Sequence, residues 1–246
     1  MTQRLRWRDR TSQFLMALSM ALLIWLCSLP AFANSSADFE QRVLDIIRQH
    51  PDVILESVQA YQRQQQQQIQ EDQQAFAQDL LAHPKSIVGL SPSTSPLENR
   101  AILLEFSDFQ CPFCAEAHKT VKSFVAKHPN QVALVYKHLP LSALHPQALA
   151  AAQAAYAAQQ QNKFWEFHDA LFEHQEQLGE SFYLETAGNL GLDLEQFNRD
   201  RTQAMAAIQQ DLDLATKLRI SGTPFFVFQG QTFSGAVPAE EFEKLL

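Results

Sequence analysis

The chain has 246 residues, a formal net charge of −8 and three cysteines. An acidic surface is repelled by nucleic acid and by anionic membrane, so neither is expected as a partner. Three cysteines, only two of them close in sequence, are too few for a framework of structural disulfides.

Residues 1–33 read as a secretory signal. Arg4, Arg6, Arg8 and Arg10 form a basic start, Phe14 to Leu29 an apolar core, and Ala31-Phe32-Ala33 a small-x-small cleavage pattern. The apolar run is short for a membrane span, although an uncleaved anchor is the other reading of the same residues. Cys27 follows the bulky Trp25 and Leu26, which does not suit lipid attachment. Cleavage after Ala33 leaves 213 residues with a charge of about −11 and two cysteines, both in one C-x-x-C. The compartment this predicts is the periplasm or an equivalent extracytoplasmic space.

Residues 34–84 are rich in glutamine and contain no glycine. Phe39, Val43, Ile46 and Ile47 predict a short amphipathic helix, and Pro51 restarts a second. Ile54, Val58 and Tyr61 begin an apolar seam that passes through the polar Gln65 and Gln68 before Ile69, Phe76 and Leu80 resume it. A helix with so few apolar residues packs on partner copies or projects into solvent. A homo-oligomerisation stalk is the expectation, and a solvated glutamine-rich linker the alternative. Pro84 to Arg100 reads mostly as loop, which puts a domain boundary at residue 84.

Beyond Arg100, within a domain taken to run over residues 85–246, strand and helix signals alternate, as in an α/β domain. Ala101 to Ser107 predicts a strand, Pro112 to Lys127 a helix and Val132 to Lys137 a second strand. A stretch without strand signals follows, with helices predicted over Pro146 to Gln160, over Lys163 to His174, and in two or three further segments to Arg219. Phe225 to Gln229 and Gln231 to Phe233 predict a hairpin turning at Gly230, and Pro238 opens a last helix. The arrangement is a βαβ unit, a helical insertion at about 142–219 and a ββα unit.

Cys111-Pro112-Phe113-Cys114 is the chemical centre of the chain. Residues i and i+3 share a helix face, so the two sulfurs can approach bonding distance. Cys111 falls at a helix N-terminus, where unpaired N–H groups and the macrodipole favour thiolate, and Pro112 suits the first helical position. A C-x-x-C is also half of a zinc site, but structural zinc needs about four Cys or His ligands. A mixed site with His118 is conceivable, yet the other half is missing, so no metal is expected. Glu105 stands out in an apolar strand, where it either works beneath the cysteines or points to solvent. Phe106, Phe109 and Phe113 offer an apolar rim for unfolded polypeptide, or else belong to the core. His118, His138 and His145 have neither a third ligand nor a partnered serine and read as surface or satisfied histidines.

The strand, the C-P-x-C, the helical insertion and Ser221-Gly222-Thr223-Pro224 leading into a strand together resemble the DsbA-type proteins of the thioredoxin superfamily, over about Lys85 to Leu246. The resemblance implies an α/β thioredoxin-like fold with a helical insertion, preceded here by an N-terminal helical segment. It implies that Pro224 is cis against the cysteines, with Thr223 as substrate-docking residue and Pro112 and Phe113 beside it. It also implies that Glu105 relays protons to Cys114. The segment His50 to Glu56 and the glutamine-rich helix after it resemble the stalk of DsbA-like proteins of the suppressor-of-copper-sensitivity protein C kind, in which oligomerisation goes with isomerase activity.

The function expected is formation of disulfides in other exported proteins, with Cys111 attacking and Cys114 resolving. No cofactor is expected beyond the Cys111–Cys114 disulfide itself. The partners expected are reduced or unfolded exported proteins and a membrane protein that resets the pair. Histidine is common where this chain has Phe113, and phenylalanine cannot donate to a sulfur, so extreme oxidising power is not expected. A disulfide isomerase is the alternative within the class. A holdase with a redox-switch cysteine pair is the alternative outside it.

Overall fold

The computed structural model describes residues 31–246. The basic start and apolar core expected of the signal lie outside the described residues. The chain divides into two compact units, Met1–Gln65 and Gln66–Leu246.

Within the first unit, α1 spans Ala31–Gln49, and α2, which spans Pro51–Ala82, begins. Pro51 has no N–H to continue α1 and sits at the first position of α2, where none is needed. Phe39, Ile46, Ile47, Ile54, Leu55 and Tyr61 are exposed, so among the described residues this unit carries an uncovered apolar surface.

The second unit starts inside α2, not at residue 84. Ile69, Gln73, Phe76, Ala77 and Leu80, spaced three and four apart, turn one face inward, and Ala77 and Leu80 are buried. The expectation that this helix finds nothing to pack on in its own chain is therefore corrected for its C-terminal half. Glutamines make the attachment: Gln73 Nε2 donates to the Leu218 carbonyl at 3.0 Å and Gln74 Nε2 to that of Gly230 at 2.8 Å. An apolar-seam reading cannot register contacts of this kind. A short helix, α3 (Pro84–Val88), then interrupts the expected loop.

A four-stranded sheet in the order β2-β1-β3-β4 organises the unit. β1 (Ala101–Ser107) and β2 (Val132–His138) are parallel, joined by α4 (Pro112–Lys127). β3 (Phe225–Phe228) is antiparallel to β1, and β4 (Gln231–Ser234) antiparallel to β3. The turn between β3 and β4 has positive φ at Gln229 and Gly230, the geometry of a type I′ hairpin. Gly230, at φ 72°, takes the left-handed conformation that favours glycine. The free edge of β2 is covered by the segment before β1, where Thr94 N bonds the Leu134 carbonyl and Tyr136 N that of Pro92.

Between β2 and β3 lie five helices, α5 (Ala148–Gln160), α6 (Phe164–Glu173), α7 (Glu180–Asn189), α8 (Leu194–Gln203) and α9 (Met205–Lys217). Seven alanines of α5 are buried, and such small side chains let α6 and α8 approach it closely. The final helix is α10 (Ala239–Glu243).

Alternation along β1 sorts its side chains between two cores. Leu104 and Phe106 join the core that includes Ala77 and Leu80 of α2, while Leu103 joins Val121 and Phe124 of α4 with Phe242 of α10. Glu105 and Ser107 share the parity of Leu103, so they belong to the face that α4 covers.

Candidate functional site

β1 runs directly into the turn that presents the cysteines. The buried Asp108 carboxylate holds this turn, accepting from Gln110 N at 2.8 Å, Leu141 N at 2.9 Å and His145 Nδ1 at 2.8 Å. Gln175, beyond α6, clamps it from the helical insertion: its Nε2 donates to the carbonyls of Phe109 at 2.7 Å and Cys111 at 2.9 Å. Cys111 is the N-cap of α4, with extended backbone, and Pro112 opens the helix. Helix formation from that point places Cys114 one turn on, beneath Cys111.

The two cysteines are free thiols of unlike character. Cys111 is pulled down to about 5, chiefly by the hydrogen bond from Cys114, with Thr223 and the backbone N–H groups of Cys114 and Phe113 adding to it against the opposing effect of burial. Cys114 is pushed up, first by burial and then by its role as donor to Cys111. At neutral pH, then, the outer sulfur is a thiolate and the inner one a thiol. The third member of the arrangement arrives from the loop before β3. The Thr223–Pro224 peptide is cis, and the Thr223 carbonyl oxygen lies 3.4 Å from Cys111 Sγ.

Glu105 is buried, not solvent-facing, and burial pushes its carboxyl up to about 7, a rise that Ser107 opposes. Ser107 likewise favours ionisation of Cys114 and Tyr136, so its hydroxyl lies among all three groups. These are weak polar contacts, since Glu105 Oε1, Ser107 Oγ and Tyr136 OH close no hydrogen bond among the described residues. The strand register pairs Glu105 with Tyr136. An acid pushed up to about 7 by burial thus sits on the α4 face of the sheet.

Cys111, Cys114, Thr223 and Pro224 come together, with Pro112 and Phe113 exposed beside them. The apolar rim is smaller than the sequence suggests: Phe113 is 60% exposed, while Phe106 and Phe109 are wholly core. Phe109 stacks on Tyr136 with ring centroids 5.1 Å apart. Two of the three histidines depart from the expectation of a surface or satisfied ring: His118 and His138 are buried with unpartnered nitrogens, whereas His145 is satisfied by Asp108. Asp108 and Gln175 escape a reading of the sequence, because the hydrogen bonds of Gln175 cross 64 and 66 residues. A groove of about 320 Å³ runs beside the cis peptide, with Ile69, Gln73, Ile220, Gly222, Pro224 and Gly235 among its lining.

A family model described as a DSBA-like thioredoxin domain matches residues 102–246, well over half of the chain. The chain belongs to this family. Among solved structures, a thioredoxin-like oxidoreductase from Silicibacter pomeroyi DSS-3 is 34% identical with a TM-score of 0.60, covering 65% of this chain and 94% of that one. The thiol-disulfide exchange protein alpha-DsbA2 from Wolbachia pipientis shares the fold at 21% identity and a TM-score of 0.61, over 70% of this chain and 94% of its own. Proteus mirabilis ScsC, in a transitional conformation, shares the fold at 21% identity and a TM-score of 0.57, over 87% of this chain and 95% of its own. A curated relative, the Na(+)/H(+) antiporter NhaA 3 of Salinispora tropica, is 39% identical over 142 residues, which are 57% of this chain. The chain spans only 22% of that antiporter's length. Among the described residues no helix is long and apolar enough to cross a membrane. In this chain the DSBA-like domain carries its C-x-x-C at the head of α4.

Proposed function

We propose that this protein is an exported thiol-disulfide oxidoreductase that forms disulfides in other exported proteins by dithiol–disulfide exchange. The observation that carries the reading is the unlike sulfur pair: a Cys111 thiolate at a helix N-terminus, backed by a buried Cys114 thiol and faced by the Thr223 carbonyl. A general oxidoreductase role is supported by the family and by the 34%-identical oxidoreductase. Export is supported by the sequence of residues 1–33.

In the cycle, a client thiolate attacks Sγ of Cys111 in the oxidised pair. The S–S bond breaks with its electrons passing to Cys114, and a mixed disulfide forms between client and Cys111. A second client thiolate then attacks the client sulfur, releasing Cys111 as the thiolate its surroundings favour. Glu105 is the group suited to supply and recover the proton of Cys114, with Ser107 between them. An extended client segment pairs with the backbone at Thr223 beside the groove, with Phe113 as its apolar contact. A membrane protein resets the pair. Oxidation of a reduced client tests this: Cys111→Ser abolishes turnover, and a variant that keeps it refutes the reading. If aggregation is suppressed equally by wild type and Cys111→Ser while neither turns over a client, a holdase is the better description.

An isomerase has one observation in its favour, the exposed apolar face of residues 39–61. If that face assembles copies of the chain, several active sites meet one client, and the effective concentration for a second exchange rises. The redox state of Cys111 and Cys114 in the native compartment separates the two: mostly oxidised favours the oxidase, mostly reduced the isomerase.

A further inference from the structure

Behind the cysteine helix lies a second group of chemically able side chains that the exchange cycle does not use. His118 stands on α4 one turn beyond Cys114, and His168 and Asp169 are consecutive on α6. One nitrogen of each imidazole and one carboxylate oxygen lie within 4.8 Å of one another. His118 Nε2 is 3.6 Å from Asp169 Oδ1, and His168 Nδ1 is 3.0 Å from that same oxygen. The rings are fixed by packing: their centroids are 5.1 Å apart, and Phe172 stacks on His118 at 5.1 Å.

Two features set this cluster apart from an ordinary buried ion pair. His118 is 5% exposed, yet its Nε2 has no hydrogen-bond partner among the described residues. A buried ring nitrogen in that condition is destabilising unless something occupies it. The second feature is the state of the carboxylate. Lys122 Nζ holds Asp169 Oδ2 at 2.8 Å and Glu173 Oε1 at 2.9 Å, which leaves Oδ1 directed at both imidazoles. A hydrogen-bonded outer oxygen with the inner one presented is how a carboxylate ligand is oriented in metal sites.

We propose that His118, His168 and Asp169 form a binding site for a divalent transition cation of the zinc type. Two imidazole nitrogens and one carboxylate oxygen suit such an ion. Metal–ligand bonds of about 2.0–2.1 Å in a tetrahedron set donors roughly 3.4 Å apart, and the two nitrogen–oxygen separations bracket that spacing. Binding replaces the His168–Asp169 hydrogen bond with two bonds to the ion. Asp169 is partly exposed, with 31% of its side chain accessible, so the ion has a way in and a fourth position open to water. The site uses neither cysteine of the C-x-x-C.

The test uses the untagged full chain carrying Cys111→Ser and Cys114→Ser, so that no thiol competes, titrated with Zn²⁺ alone against a chromophoric chelator. One equivalent binds, and His118→Gln and Asp169→Asn each weaken binding at least about tenfold, while His174→Gln leaves it unchanged. Zn²⁺ raises the melting midpoint of the parent but not of Asp169→Asn, a partly exposed position whose variant keeps the fold if His118→Gln does not. Failure of the parent to bind one equivalent, or equal affinity in parent and Asp169→Asn, overturns the proposal.

Discussion

Cys111 and Glu105 are shifted in opposite directions by the same fold, and each shift has a measurable consequence. An unperturbed thiol ionises near about 8.5, whereas Cys111 is held at about 5. Its folded value is depressed, so the stabilisation of the reduced protein is fully present above the unfolded value and is lost as pH falls through about 5. Thiolate absorbance at 240 nm of the reduced protein is expected to titrate with a midpoint near 5, and Cys111→Ser to remove that transition. Glu105 shows the reverse sign. With its folded value raised to about 7, its contribution is present below the unfolded value and lost as pH rises through 7. The loss amounts to about 3 kcal/mol at 1.4 kcal/mol per pKa unit. Glu105→Gln is therefore expected to gain stability over wild type at pH 8 but not at pH 4 in urea unfolding, while slowing release of Cys114 in exchange. Identical pH dependence of the two proteins would remove Glu105 from this role.

Single elements are joined by polar contacts that the pattern of apolar residues does not announce. Lys137 of β2 and Asp211 of α9 form a buried ion pair at 3.0 Å, and Asp211 also accepts the His138 N–H. Burial raises the Asp211 carboxyl against the opposing effect of Lys137. Lys137→Met leaves that carboxyl uncompensated and is expected to cost about 3–5 kcal/mol in chemical denaturation. Gln175→Ala frees two carbonyls of the active-site turn, with an expected loss of about 1–3 kcal/mol. The strands and the helix after Cys111 are legible in the sequence, because Ala101–Ser107 and Pro112–Lys127 carry their own periodicity and punctuation. The union of Cys111 with Thr223–Pro224 is legible only through the resemblance, since 112 residues separate them. Gln73, Gln74 and Gln175 are illegible because their partners are backbone carbonyls, which any sequence supplies. The cluster around His118 is hidden for the same reason of distance: its partners lie 50 residues away on another helix.

Among the described residues, the first unit leaves Phe39, Ile46, Ile47, Ile54, Leu55 and Tyr61 uncovered. Surfaces of that kind mark interaction sites, and a second copy of the chain is the partner proposed. Ile47→Glu and Ile54→Glu, both at exposed positions, are expected to reduce the mass seen by sedimentation while leaving oxidation of a small dithiol peptide intact. A wild-type protein already monomeric at working concentrations would contradict this. The central claim, that Cys111 and Cys114 form a redox pair governed by a stabilised outer thiolate, is tested most directly by equilibrating the protein with glutathione and following the pair. A Cys111 value near 5 lies between those of DsbA, about 3.5, and thioredoxin, about 7. One two-electron transition is expected between about −120 and −270 mV, the potentials of those two proteins. A pair more reducing than about −270 mV, or one that shows no transition, would contradict it.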